Sequence, residues 1–234
     1  MKKFFLLALA LVLALNLAAV CLADEAAPTV YVTIANGDLM LIRQPVTLTD
    51  TDADGLLTIN DALFLAHEEA FEGGAEAGYL AGESQWGLSL FKLWGVENGG
   101  SYGYYVNNTA AYSLADPLND GDSVAAFVYT DLVSWSDAFC FFYPDTVEAQ
   151  PGDTVTLTLL GAAYDENWTP ITAAFGGAII TFDGQDTEYR TDDEGKVTFE
   201  LPEGVSVISA RYESATLVPP VCLIVLPEAG EIAA

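Results

Sequence analysis

Residues 29–74 read TVYVTIANGDLMLIRQPVTLTDTDADGLLTINDALFLAHEEAFEGG, and three patterns follow one another within them. Thr29 to Ala35 and Leu39 to Thr49 alternate like two strands. The Asn36-Gly37-Asp38 between them is a strong hairpin signal, because Asn and Gly tolerate the left-handed backbone of a tight turn. Asn60 to Glu72 then sets Leu63, Phe64, His67, Ala70 and Phe71 at helical spacing on one face, and Gly73-Gly74 closes the run. Two paired strands, one helix and further strands predict a small α+β domain with the helix packed on a mixed sheet.

Between hairpin and helix lies DTDADGLLTIND, residues 50–61. Acids stand at its first, third, fifth and twelfth places (Asp50, Asp52, Asp54, Asp61), and Gly55 is sixth. This is the spacing of an EF-hand-like calcium loop. Calcium is a hard cation that takes six to eight oxygens, and alternate carboxylates on a curled loop converge on one point. Gly55 permits the sharp turn. The reading assigns Asp50, Asp52 and Asp54, the Leu56 carbonyl, the Thr58 hydroxyl or a water on it, and Asp61 as ligands of a Ca2+ ion, with Leu57 pointing into the core. The segment before the loop alternates like a strand, so this is not a helix-loop-helix pair. The competing reading is an acidic surface turn.

Downstream, Tyr102 to Val106 is an aromatic strand, and the Asn119 to Asp122 turn feeds a strand at Ser123 to Thr130. Near residue 144 the pattern changes: Pro144 and Pro151-Gly152 lead into strongly alternating Thr154 to Leu160. Strands are expected at Ala178 to Phe182, Lys196 to Leu201, Val205 to Tyr212 and Val221 to Leu226, with no helix signal. The chain thus divides into an α+β domain over residues 24–143, a β-sandwich over 144–226 and a polar tail over 227–234. The fold class is mainly β.

Residues 1–23 carry Lys2 and Lys3, an apolar run and a small-residue site before Asp24, the pattern of a secretory signal peptide. Lipoprotein anchoring at Cys21 is disfavoured by Val20 before it, and no later stretch is apolar enough to span a membrane. The protein is expected to be secreted or displayed at the cell surface. Removing the leader leaves 5 basic and 34 acidic residues, a net of −29. Such a chain is repelled by phosphate backbones, which excludes nucleic acid as a partner. An apolar content of 52% with a mean hydropathy of +0.32 excludes disorder.

Cys140 and Cys222 remain in the mature chain, either as one disulfide or as two buried thiols in apolar strands. With a single histidine, His67, and no Cys cluster, a zinc site is excluded, and His67 on an apolar face reads as a packed side chain rather than a base. No G-x-S-x-G, G-x-G-x-x-G or P-loop occurs. Trp86, Trp94, Tyr102, Tyr104, Tyr105 and Tyr112 cluster among glycines. They pack a small sheet or present a face to a ligand; Trp94, Tyr102, Tyr104 and Tyr105 are the candidates for that face.

Residues 29–143 resemble a bacterial domain family similar to the C-terminal β-domain of transcobalamin. The resemblance is carried by the opening strands, INDAL (Ile59 to Leu63), GSYGYYVNN (Gly100 to Asn108) and LNDGDSVAAFVY (Leu118 to Tyr129). It implies a β-grasp-like domain containing one helix. The loop and its following helix resemble dockerin calcium loops, which also end in Asp. Residues 145–226 resemble bacterial Ig-like or carboxypeptidase-regulatory-like surface modules through PGDTVTLTL and TDDEGKVTFELPEG. LPEAG, residues 226–230, is similar to a sortase motif, but only Glu231 to Ala234 follow it. Together these imply a non-catalytic, calcium-binding surface module for an extracellular ligand, glycan or protein. A capture protein for a corrinoid-like ligand is the alternative, and a carboxylate-based glycan hydrolase stands behind both.

Overall fold

The computed structural model describes residues 26–167 and 169–227. The leader expected over 1–23, with Cys21, and residues 228–234, with most of LPEAG, lie outside the described residues.

The first unit opens with the expected hairpin, β1 (Thr29–Asn36) and β2 (Asp38–Thr47). Helix α1 (Ile59–Ala70) follows, then a second short helix α2 (Gly74–Gly78). The strands β3 (Leu80–Ser84) and β4 (Gly87–Lys92) pair with each other. Then come β5 (Tyr102–Val106), β6 (Thr109–Ala110) and β7 (Ser123–Val128). The main sheet has the order β2-β1-β7-β5-β6. Its first and last strands, β1 and β7, lie parallel at the centre, with antiparallel pairs on both sides, the β-grasp-like order expected.

Strand alternation explains the core. Val30, Val32 and Ile34 of β1 and Val124, Ala126 and Val128 of β7 face α1, whose buried stripe is Ile59, Ala62, Leu63, Ala66 and His67. Phe64 and Ala70 fall outside that stripe and are exposed, so the helix is rotated from the face read in the sequence. The helix also ends earlier than Glu72. The Glu68 carboxylate accepts the Ala75 N–H at 3.0 Å, which turns the Gly-Gly exit into the start of α2.

The second unit holds β8 (Ala138–Tyr143), β9 (Thr146–Glu148), β10 (Thr154–Tyr164), β11 (Pro170–Ala174) and β12 (Ile179–Phe182). It continues with β13 (Gln185–Arg190), β14 (Lys196–Glu200), β15 (Val207–Arg211), β16 (Leu217–Val218) and β17 (Cys222–Val225). One sheet runs β11-β10-β8-β16 with β14 also on β10; the other runs β13-β12-β15-β17-β9. Val155, Leu157 and Leu159 from one sheet meet Ile180, Ile208 and Ala210 from the other in a single core. This is the expected sandwich, with one correction. The boundary expected at 143/144 falls inside it, because β8 pairs with β10 and β16. Pro144 marks a corner where the chain leaves one sheet for the other, not a linker.

The disulfide reading is also corrected: Cys140 and Cys222 are free, buried thiols. They sit on strands of opposite sheets, and the Cys140 Sγ–H donates to the Val218 carbonyl at 3.3 Å. Burial pushes both thiols up, Cys222 to about 12, so they are inert core groups.

The two units share a small apolar seam. Ala35 and Phe127 from the first pack on Phe139 and Val218 from the second. Tyr105 lies flat on Phe139, with ring centroids 3.6 Å apart and planes 8° apart. A bulge in β2 turns Arg43 out of register at φ 41, and its guanidinium donates to the Asp145 carboxylate across the seam.

Gly103 is fixed by this packing, because a Cβ there would come within 2.2 to 2.9 Å of the Phe127 ring. We expect Gly103→Ala to lower unfolding free energy by about 1–3 kcal/mol in urea titrations. An unchanged midpoint would show that Phe127 does not hold this position.

Candidate functional site

Residues 50–56 form an exposed curl made by the residues themselves. Gly55 sits at φ 88 with open space around it, a conformation an L side chain rarely adopts. Each acid is oriented by backbone N–H groups within the loop. Asp50 accepts from Asp54 (3.2 Å) and Gly55 (2.9 Å), Asp52 accepts from Asp54 (3.3 Å), and Asp54 accepts from Leu56 (2.8 Å). Oxygens of Asp50, Asp52 and Asp54 lie within 4.8 Å of one another, and the three carboxylates can hold a metal ion.

Thr58 and Asp61 do something else. Thr58 is the N-cap of α1, and Asp61 at the third helical position completes a capping box. Both Asp61 oxygens are saturated. One accepts from the Thr51 N–H (2.7 Å) and hydroxyl (2.6 Å), the other from the Thr58 N–H (2.9 Å) and hydroxyl (2.9 Å). Burial works to raise the Asp61 carboxyl, but these bonds outweigh it and hold the group below the usual carboxylate range. The ligand set read from spacing therefore divides: three acids converge, while Asp61 and Thr58 tie the loop's two ends to the helix. Leu56 is exposed, and Leu57 packs against the core as expected. Asn60 joins loop to core, donating to Asp52 (3.0 Å) and accepting from the buried Tyr79 hydroxyl (2.8 Å).

His67 is a structural residue. Its Nε2 accepts the Trp94 N–H at 3.0 Å, and Nδ1 lies 2.6 Å from the Leu63 carbonyl, which assigns the proton to Nδ1. Burial lowers its pKa to about 4, against the opposing pull of the Leu63 bond. Trp94 packs on His67 and Phe71, with centroids 5.2 Å away in each case, and so belongs to the helix-side core rather than to a ligand face.

Tyr102, Tyr104 and Tyr105 do border a groove, of about 540 Å3. Because it is lined from both faces of β5, it wraps the edge of that strand. Trp86, Tyr112, Tyr129, Trp135 and Tyr164 complete the aromatic lining. The last three come from the β7 end, the β7–β8 connection and β10, all outside the aromatic strand, and no periodic pattern unites them with it. Burial first, then Tyr129, Tyr164 and Tyr112, push the Tyr105 phenol up to about 12. All four tyrosines line the same groove.

Neither a protein-family model nor a curated protein sequence matches the chain. Among the described residues, no helix is long and apolar enough to cross a membrane.

Two stability measurements follow. Asp61→Ala removes a cap and orphans the Thr51 and Thr58 donors, so we expect a loss of about 2–4 kcal/mol even in chelator. Asp52→Ala in chelator should cost under about 1 kcal/mol, as expected of an exposed loop acid. Equal losses in the two variants would contradict the division of the loop. For His67, the unfolded side chain gains a proton near pH 6.5, whereas the folded one resists until about pH 4. Stability from this group is full above pH 6.5 and falls as pH drops through that window, by about 3 kcal/mol in total. The difference between wild type and His67→Gln in urea titrations across pH should show that slope, and a flat difference would refute it.

Proposed function

We propose that this protein is a non-catalytic extracellular binding module whose first unit is made rigid by calcium at Asp50, Asp52 and Asp54. The observation that carries the reading is the convergence of these three carboxylates, with which no Lys or Arg among the described residues forms an ion pair. Beyond the leader the chain has five basic residues, Arg43, Lys92, Arg190, Lys196 and Arg211. Each already pairs with an acid elsewhere: Asp145, Glu97, Glu213, Glu194 and Asp186. A diffusible cation is the remaining source of positive charge for the loop.

The donor set suits calcium. All three side chains offer hard oxygens, and the one histidine is locked in the core, which disfavours zinc. An exposed loop with room for carbonyls and water suits the larger, less demanding coordination of calcium over the strict octahedron of magnesium. The Leu56 carbonyl is the loop group best placed by spacing to add a fourth protein oxygen. When bound, the ion supplies charge neutralisation. The chain's own part is to orient the acids through loop N–H groups and to transmit their position through Asn60 to Tyr79. The non-catalytic reading is supported by His67, whose two ring nitrogens are both committed to the fold. The leader read at residues 1–23 supports an extracellular setting.

Calorimetric titration of the purified protein should give one calcium site, abolished in Asp52→Ala. Calcium at a hundredfold above its dissociation constant should add about 2.7 kcal/mol to stability, raising the melting point over that in chelator. Absence of both heat and melting shift would reduce the loop to an acidic turn.

A further inference from the structure

We propose that the aromatic groove along β5 is a binding site for an uncharged oligosaccharide. This rests on the reading of the chain as a binding module but on none of its metal ligands.

Four large rings are brought to the groove from four separate segments while staying in solvent: Trp86 (78% exposed), Tyr112 (76%), Trp135 (57%) and Tyr164 (57%). None of the four belongs to a core cluster, and Trp135 packs on Tyr129 at the groove wall with ring centroids 5.7 Å apart. The lining is also free of charge. In a chain with 34 acids, none of the eleven residues around the groove is charged. The surrounding negative field repels an anionic ligand, and the lining holds no carboxylate to pair with a cation.

The chemistry of the walls narrows the choice further. Flat indole and phenol rings take apolar C–H faces, while tyrosine hydroxyls can both donate and accept hydrogen bonds. A pyranose presents both features at once: an apolar face of C–H bonds and an equatorial rim of hydroxyls. A quaternary ammonium uses the rings and leaves the hydroxyls idle. An extended peptide needs a bare strand edge, yet β6 and the Ala111 N–H, 3.0 Å from the Tyr104 carbonyl, already occupy that of β5. A groove of about 540 Å3 is in the range of small-ligand sites. Its walls come from both units, whose mutual placement is held by the Tyr105–Phe139 stack, so little ordering is required on binding.

The test is calorimetry and tryptophan fluorescence with cellohexaose, xylohexaose, mannohexaose, laminarihexaose and N-acetylchitohexaose, each raised to millimolar concentration. Hexagalacturonate, tetramethylammonium and cyanocobalamin serve as controls. We expect at least one neutral hexaose to bind. Trp86→Ala and Trp135→Ala should each weaken it about tenfold with unchanged melting curves, since both rings are exposed. No binding by any neutral hexaose, binding insensitive to both substitutions, or binding of a control alone overturns the proposal. Calcium is titrated into the same sample. Sugar binding without a calcium heat sinks the metal reading and keeps the groove, and a calcium heat without sugar binding does the reverse.

Discussion

The parallel ladder between β1 and β7, from Tyr31 opposite Ser123 to Ala35 opposite Phe127, is the pairing on which the first unit depends. A parallel pair cannot be closed by a tight turn; it needs a long crossover. Everything between these two strands serves as that crossover. It has to supply a cover for one face of the sheet, and α1 does so. The other face, at Ala35 and Phe127, is covered by the sandwich. With both faces of the central strands buried, the side chains of β7 have no slack, and Phe127 presses on the backbone of β5 closely enough to demand glycine at 103. Beyond β5 the sheet is capped only by the two-residue β6, and the aromatic groove lies beside that edge.

The same crossover explains why the loop acids divide into three that converge and one that caps the helix. A helix following a strand needs an N-terminal anchor, since its first N–H groups have no partners within it. Asp61 stands where spacing would make it a ligand and also where the helix needs a capping carboxylate. With four donors from Thr51 and Thr58 within hydrogen-bonding distance, the second demand is the one met. The outcome still favours the upstream acids. Pinning residue 51 to residue 58 shortens the loop between them and forces Asp52 and Asp54 into the curl beside Asp50.

Features set by short-range chemistry were legible in the sequence. The Asn36-Gly37 turn, the α1 segment, the calcium-type spacing and the alternation of β10 all rest on neighbours within a few residues. The boundary at 144 was misjudged because a proline corner between sheets and a proline linker between domains look alike without pairing partners. The rotation of α1 escaped notice because Phe64 is as apolar as Leu63, and only the sheet beneath decides which is covered. The free thiols could not be settled because two buried strands from opposite sheets share an apolar composition with two disulfide-bonded ones. The aromatic groove was half legible. Tyr102, Tyr104 and Tyr105 stood out as an aromatic strand, but Tyr129, Trp135 and Tyr164 reach the groove through tertiary folding alone.

Charge unites the loop and the groove. All five basic residues after residue 23 are already matched, one to one, with acids, so most of the 34 acids face water or one another. In such a field, two kinds of surface are informative. One is a place where acids converge closely enough to share a cation. Asp50, Asp52 and Asp54 are that place. The other is a place from which acids are missing although the chain is rich in them. Chance alone would put an acid or two among eleven lining residues, and the β5 groove has none. A patch of rings and hydroxyls kept free of charge in an otherwise anionic shell disfavours anionic partners by what surrounds it, and offers a cation no carboxylate in what lines it.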